Sequence, residues 1–198
     1  MTAERPRRTG TRAAETAARK ARILTAALEL AANGGYEAVQ MRDVAARAEV
    51  ALGTLYRHYA SKDQLLLAVM LDQTETLRAR LEQHPARGGS AADRVSTALE
   101  RACRALERNP RVTGALVRAM FATEPEAAEL KSQVQREMQA LIVSAIGTDP
   151  TRSADEIAAV VDVLGQVWFS AMAFWAGGVT STPTMSHRLT SATRLLLR

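Results

Sequence analysis

The fold of this 198-residue chain is decided by one short stretch, Val50-Ala51-Leu52-Gly53-Thr54-Leu55-Tyr56-Arg57-His58-Tyr59. Within it, Leu55 and Tyr59 stand four residues apart, which places both on one face of a short helix. A second short helical pattern runs from Val39 to Arg47, and Ala48-Glu49-Val50 separates the two. We therefore predict two short helices joined by a tight turn, as in a helix-turn-helix motif.

Helical patterns continue on both sides of this motif. An amphipathic pattern starts near Ile23 and stops at Asn33-Gly34-Gly35, and Ser61 with Gln64 forms a capping-box pattern that opens a long fourth helix. Five further helical segments follow, separated by breaks at 84–89, 109–110, 123–125, 147–153 and 177–183. The sequence predicts an all-α protein of nine helices: a disordered basic tail over 1–14, a three-helix unit over 15–62 and a larger helical domain over 63–198.

Composition and charge agree with a helical chain that meets a polyanion. Apolar residues make up 47% and aromatic residues 4%, a balance that favours helices over strands. Residues 1–62 hold 11 Lys and Arg against 6 Asp and Glu, whereas residues 63–198 hold 15 of each. A basic region confined to one end indicates either a phosphate-binding surface or a solvated N-terminal tail.

Several classes of protein are disfavoured by what the sequence lacks. The single Cys103 cannot form an internal disulfide, no apolar run reaches 18 residues, and no secretory signal is evident, so we expect a cytoplasmic protein without a membrane helix. We find no Gly-x-Ser-x-Gly, no Gly-rich phosphate loop and no helical His pair, since His58, His84 and His187 are scattered. We expect no enzymatic activity, no cofactor and no metal.

The second short helix of the motif has the features of a DNA recognition helix. Leu52, Gly53 and Thr54 are apolar or small residues at its N-terminal end, where such helices approach base edges. Flanking polar and charged groups are expected to bind phosphates or a groove edge. Leu55 is assigned to the core, and Tyr59 to either the core or a phosphate. The predicted DNA-binding residues are Arg42, Leu52, Gly53, Thr54, Tyr56, His58, Tyr59 and Lys62.

The same region resembles the TetR family of transcriptional regulators. The matching residues lie within 23–67: Ile23-Leu24, Ala26-Ala27, Leu30, Gly35-Tyr36, Val44-Ala45, Val50, Gly53-Thr54-Leu55-Tyr56, Tyr59, Ser61-Lys62 and Leu65-Leu66. Gln40 departs from the Thr that usually caps the second helix, so we predict weaker capping there. Leu52 replaces a residue that is polar in many members, which favours apolar contact with DNA at that position.

A wider likeness, spanning most of 23–196, is to the branch of this family that represses steroid catabolism in actinobacteria. It is carried by residues 34–42, 108–119, 167–175 and 194–196, and it implies a steroid or other bulky acyl-CoA thioester as the effector. A sensor domain needs an apolar cavity with few polar groups. The predicted effector-binding residues, each of which is alternatively ordinary core, are Leu116, Met120, Phe121, Met138, Leu141, Trp168, Phe169, Met172 and Trp175.

Arg118 has two interpretations on sequence grounds. Its guanidinium either binds a carboxylate or phosphate of the effector, or pairs with a nearby acidic residue such as Glu124 or Glu126.

The resemblance also implies a homodimer built on the last two helices, with Ala158, Asp162, Gly165, Leu189, Ala192 and Leu196 as predicted interface residues. Two recognition helices related by a two-fold axis would read a pseudo-palindromic operator with half-sites ~34 Å apart. The effector would then release the DNA by changing their separation. The alternatives are an architectural DNA-binding protein without an effector, a regulator of efflux that senses another hydrophobic ligand, and an enzyme.

Overall fold

The computed structural model describes residues 8–198, with side chains from residue 12 onward. Over these residues it contains nine α-helices and no strand, which confirms the predicted all-α class. The helices are α1 Arg8–Ala38, α2 Met41–Arg47, α3 Leu52–His58, α4 Lys62–Gln83, α5 Ala91–Glu107, α6 Pro110–Met120, α7 Ala128–Ile146, α8 Ala154–Ala176 and α9 Thr182–Leu196, with a 3₁₀ turn at Pro125–Ala127.

Five of the nine helices in the described residues begin at a side-chain cap, and the cap predicted at Ser61 is among them. Ser61 Oγ accepts a hydrogen bond from the Gln64 amide at 3.1 Å. The Gln64 side chain in turn accepts a hydrogen bond from the amide of Ala60, the residue before Ser61, at 2.5 Å. These bonds satisfy amides that have no partner within the helix itself. Side-chain caps also start α5, α6, α8 and α9, at Ser90, Asn109, Ser153 and Ser181.

Two hydrophobic cores organise the chain, and the boundary between them does not follow the predicted domains. The first core joins α1, α2 and α3 with the start of α4 and with α6. The second core joins α5, α7, α8 and α9. Because α4 and α6 share a core with the first three helices, a displacement of either helix acts directly on the helix-turn-helix unit.

The start of α1 differs from the predicted basic tail. Residues 1–7 of that tail lie outside the described residues, whereas residues 8–14 already form the first turns of α1. Ala13, Ala14, Ala17 and Ala18 are strong helix formers, which accounts for the helix extending this far.

A sharp break near the end of α1 matches the predicted stop. Gly34 (φ −145°, ψ 19°) and Gly35 (φ 68°, ψ −155°) both leave the helical conformation, so the regular helix ends at Asn33 and Tyr36–Ala38 form a separate turn. The backbone at Gly35 is one that residues with a Cβ rarely adopt. The break turns Tyr36 toward α4 and α6, and it therefore sets the junction between the two parts of the chain.

We expect Gly35→Ala to lower the free energy of unfolding by about 2 kcal/mol, because a Cβ strains this left-handed backbone. Gly114→Ala is the matched control, since Gly114 lies inside α6 and a Cβ there meets no atom within 4 Å. The control should be neutral or stabilising by about 0.5–1 kcal/mol. Urea unfolding of the two variants measures the difference, and equal stabilities would show that Gly35 is not strained.

Candidate DNA interface and effector cavity

The helix-turn-helix is built on a turn in which Glu49 adopts a left-handed backbone (φ 55°). The Val50 amide closes the turn by donating to the Ala45 carbonyl at 3.0 Å. Leu55 is fully buried and anchors α3 to the core. Gln40, at the start of α2, makes no side-chain cap, which confirms the weaker capping predicted there. Because Leu55 holds one face of α3 against the core, the opposite face of α3 is open to solvent.

The three residues predicted to face the bases have different surroundings. A Cβ placed on Gly53 meets no protein atom within 4 Å, so nothing in the protein fold requires glycine at this exposed position. Thr54 Oγ1 accepts a hydrogen bond from Arg57 at 2.9 Å. Leu52 is half-buried and packs partly against the core, which leaves only part of its side chain available to DNA.

Arg57 is a candidate that the sequence reasoning missed. Its guanidinium lies on the exposed face of α3 and holds Thr54. The signal was the three-residue spacing between the two, which brings side chains together on a helix.

The residues predicted to bind phosphates also differ in how exposed they are. Tyr56 is 49% exposed, and His58 and Arg42 are exposed as well. Tyr59 is 6% exposed and belongs to the core, which supports the core alternative over the phosphate contact. Burial, and then the nearby Asp72 charge, raise the pKa of Tyr59 to about 12. The roles of Tyr56, His58 and Arg42 in binding DNA stay predictions.

Lys62, the first residue of α4, makes its contacts within the protein. Its ammonium donates to the Tyr36 carbonyl at 3.2 Å and lies 4.0 Å from the centroid of the Tyr36 ring. A phosphate contact by Lys62 therefore stays a prediction, and any such contact would compete with these bonds.

Tyr36 joins α1, α4 and α6. Its hydroxyl donates to Asp63 at 2.8 Å, and the Arg118 guanidinium lies 3.9 Å from the ring centroid, on α6. Burial, followed by the hydrogen bond to Asp63, raises the pKa of Tyr36 to about 12. Arg118 also forms an ion pair with Glu37 at 2.6 Å. The ion-pair interpretation of Arg118 is thus the one that the structure supports, but its partner lies on α1 and is neither Glu124 nor Glu126.

A cavity of about 670 Å³ lies between the helices. Its walls come from α1, α4, α5, α6, α7 and α8, so both parts of the chain contribute. The α1 contribution is Leu28, Glu29 and Ala32, just before the Gly34–Gly35 break. A molecule that filled this cavity would contact the first helix of the DNA-binding unit directly.

Six of the nine predicted effector residues line this cavity: Leu116, Met120, Met138, Trp168, Phe169 and Met172. The other three do not. Leu141 is buried in the second core, Phe121 is 61% exposed at the end of α6, and the Trp175 indole donates to Thr182 at 2.8 Å. These three residues lie outside the cavity because helical periodicity identifies an apolar face without showing which neighbour that face meets.

The charged groups around the cavity are mostly cationic. Arg80, Arg108 and Lys131 line it, against the single carboxylate of Glu29. Lys131 donates to the Ala122 carbonyl, whereas the described residues include no side-chain partner for the guanidinium of Arg80 or Arg108. Amides from three helices add neutral polar groups: Gln73, Gln135, Gln139 and Gln166. An apolar space beside unpaired guanidinium groups suits an anionic amphiphile.

The predicted dimer residues are scattered by the structure. Leu189 is 1% exposed in the second core, so it cannot form an interface, and Gly165 lines the cavity. Ala158 and Asp162 are exposed, and Ala192 and Leu196 are half-buried; these four stay predictions. The sequence reasoning missed Val163, Phe174 and Leu195, large apolar side chains that are 45%, 47% and 62% exposed on α8 and α9.

Helix α8 is long and apolar enough to cross a membrane, judged by length and composition alone. Core helices of other proteins pass the same test, and this one contributes Val160, Leu164, Trp168 and Met172 to the two cores.

Comparison with known proteins finds a match for each of the two parts of the chain. Residues 23–69 match the model for bacterial regulatory proteins of the tetR family, and residues 88–196 match the tetracyclin repressor-like C-terminal domain. The chain belongs to the TetR family. The predicted resemblance over 23–67 is confirmed, and regulators of this family bind operator DNA, usually as dimers.

Relatives within the TetR family include the HTH-type transcriptional repressor KstR from two actinobacteria. The chain is 41% identical to KstR of Rhodococcus jostii over 90% of its own length and 82% of the relative. It is 36% identical to KstR of Mycobacterium tuberculosis over 90% and 80%. The branch resemblance is confirmed, and the chain is a TetR-family transcriptional repressor.

Solved structures agree with this fold. A TetR transcriptional regulator from Rhodococcus sp. RHA1 matches with a TM-score of 0.84 at 32% identity, over 92% of this chain and 97% of that one. Thermus thermophilus FadR, solved in complex with lauroyl-CoA, matches with a TM-score of 0.66 at 20% identity, over 90% and 93%. At that identity the second likeness concerns the fold alone.

Proposed function

We propose that this repressor binds a pseudo-palindromic operator as a homodimer in the cytoplasm, and releases it when an acyl-CoA thioester fills the cavity, without turning the ligand over. The supporting observation is the 670 Å³ cavity, whose wall includes residues of α1, the first helix of the helix-turn-helix unit. Its volume lies within the range of ligand pockets. A collapsed core would instead have favoured an architectural protein without an effector.

Helix α6 offers a route from the cavity to the DNA-binding unit. One side of α6 presents Leu116 and Met120 to the cavity. The other side holds α1, because Arg111 donates to the Asn33 carbonyl at 2.9 Å and Arg118 pairs with Glu37. A ligand that displaces α6 would therefore move the C-terminal end of α1 and, through Tyr36, the start of α4. The two recognition helices of a dimer would then no longer match their half-sites.

The charge of the cavity supports an acyl-CoA over a neutral lipid. The apolar wall suits the acyl or steroid part, and Arg80 and Arg108 suit the phosphates of the coenzyme. A steroid acyl group is the expectation that the family resemblance adds. Two fold neighbours, the FadR proteins of Thermus thermophilus and Bacillus subtilis, were crystallised with lauroyl-CoA and stearoyl-CoA.

We expect Arg80→Gln and Arg108→Gln each to weaken acyl-CoA binding about tenfold, since each removes one charge-assisted contact. Binding of uncharged cholesterol should not change. Arg104→Gln is the matched control, because Arg104 lies on α5 near Arg108 but does not line the cavity. Isothermal titration measures the affinities of the wild-type chain and the three variants for both ligands, and an equal loss for the neutral sterol would contradict the charge-based role.

The proposed function is tested with a duplex that the purified chain selects from a random pool. Fluorescence anisotropy then follows its affinity for that duplex in the presence of stearoyl-CoA, a bile-acid CoA thioester, cholesterol or a cationic efflux substrate. We expect a thioester to lower the affinity at least about tenfold. If only the cationic compound acts, the effector assignment is wrong; if none of them acts, release by a ligand of these classes is wrong.

A further inference from the structure

The first three turns of α1 extend beyond the body of the protein. Among the residues with described side chains, Ile23 is the first that is buried, and all those from 12 to 18 are exposed. A helix this short and without packing is only marginally stable in water on its own. The extension is thus a solvated helix that the rest of the chain does not cover.

The direction of this extension follows from three contacts of α1. At its C-terminal end, Leu28 and Ala32 line the cavity, and Asn33 accepts from Arg111 of α6. Nearer the N-terminus, Arg22 Nε donates to the Ala48 carbonyl at 3.2 Å, in the turn that leads into α3. Helix α1 therefore runs from the effector cavity past the helix-turn-helix turn, and residues 8–21 continue beyond it for about 21 Å.

The extension is basic, and its charges are available. Residues 12–22 carry Arg12, Arg19, Lys20 and Arg22 against the single acid Glu15. Arg12 and Arg19 are seven residues apart, which places them on the same face two turns apart. In the part of the chain that the structure describes, Arg12, Arg19 and Lys20 take part in no salt bridge.

We propose that residues 12–22 of α1 form a second DNA-contacting surface, which binds backbone phosphates outside the base pairs that α3 reads. This inference rests on the DNA-binding function described above. The surface is continuous with the recognition helix through the Arg22–Ala48 bond. DNA carries one negative charge per ~1.7 Å, so a duplex held by α3 would continue alongside the basic extension. Phosphate contacts of this kind add affinity and set the register without reading sequence.

The test compares two duplexes in the full-length chain: the selected duplex trimmed to the edges of its palindrome, and the same duplex with ten random base pairs on each side. We expect the wild-type chain to bind the longer duplex about 10-fold more tightly at low salt. The triple variant Arg12→Gln/Arg19→Gln/Lys20→Gln should lose this preference. Its salt dependence on the longer duplex should also flatten, with the slope of log K against log salt smaller by about 2 to 5 for a dimer.

A charge-matched control separates local contacts from net charge. Arg87→Gln/Arg104→Gln/Arg136→Gln removes three exposed cations from other helices and loops, and it should retain the preference for the longer duplex. Affinity for the trimmed duplex reports the contacts of the helix-turn-helix without flanking DNA, so failure of DNA binding itself is seen separately. The proposal is overturned if the wild-type chain binds both duplexes equally. It is also overturned if the triple variant keeps the preference. If the variant instead loses only its binding to phosphatidylglycerol vesicles, the extension contacts a membrane and not DNA, which overturns the proposal as well.

Discussion

Gly165→Trp is expected to abolish the effector response while leaving operator binding unchanged. Gly165 lies inside α8 on the cavity wall, and a Cβ placed there meets no atom within 4 Å. The indole would occupy space that the ligand needs. We expect effector affinity to fall at least about 100-fold, because overfilling a packed site typically costs about 1–3 kcal/mol and ligand contacts are lost as well. Titration of stearoyl-CoA and a bile-acid CoA thioester into the variant measures the loss.

The same variant decides between the two roles considered for Gly165. A glycine at the dimer interface would be blocked by tryptophan, and analytical ultracentrifugation would show monomers that bind the operator weakly. A cavity glycine leaves both dimer and operator affinity intact. Ala128→Trp adds an equal side chain at an exposed position on α7 and should change neither property. Monomeric Gly165→Trp would contradict the cavity assignment.

Gly53→Leu is expected to lower operator affinity about 100-fold without lowering stability. Leucine is a better helix former than glycine, and nothing in the protein lies within 4 Å of the new Cβ. The loss would arise only where α3 approaches the groove floor, since a bulky side chain holds the helix away from the base edges. Anisotropy with the selected duplex and with random duplex measures the specific and non-specific affinities. Thermal unfolding measures the stability.

Ala128→Leu is the control for this change, because it adds a leucine side chain at an exposed position on a different helix, α7. We expect binding to random duplex to fall much less than binding to the selected one, since phosphate contacts remain available. A Gly53→Leu chain that binds the selected duplex normally would show that this residue does not enter the groove.

Local signals in the sequence predicted the features that depend on neighbouring residues. The Ser61 cap, the break at Gly34–Gly35 and the short helix around Leu55 each follow from a few adjacent side chains. Tyr56 and Tyr59 show the limit of such signals, because aromatic residues three apart suit either phosphate or core. Only the packing of α3 decides that Tyr56 is exposed and Tyr59 buried.

Features that join distant segments could not be read from spacing. The ion pair between Arg118 and Glu37 joins residues 81 positions apart. The cavity depends on how α6, α7 and α8 are rotated about their axes, which a 3.6-residue period does not determine. For this reason Met138 lines the cavity at the edge of the second core, while Leu141, one turn later on α7, lies in that core without lining the cavity.

The position of Leu28 and Ala32 in the cavity wall has a consequence for how such a regulator can diversify. Helix α1 therefore forms part of the ligand pocket and also supports the recognition helix α3. Mutations that adapt the pocket to a new metabolite at these sites therefore risk altering promoter recognition. Met138 and Trp168 line the cavity but belong to the second core, apart from the DNA-binding unit. New ligand specificities should therefore arise there first when a gene duplicates.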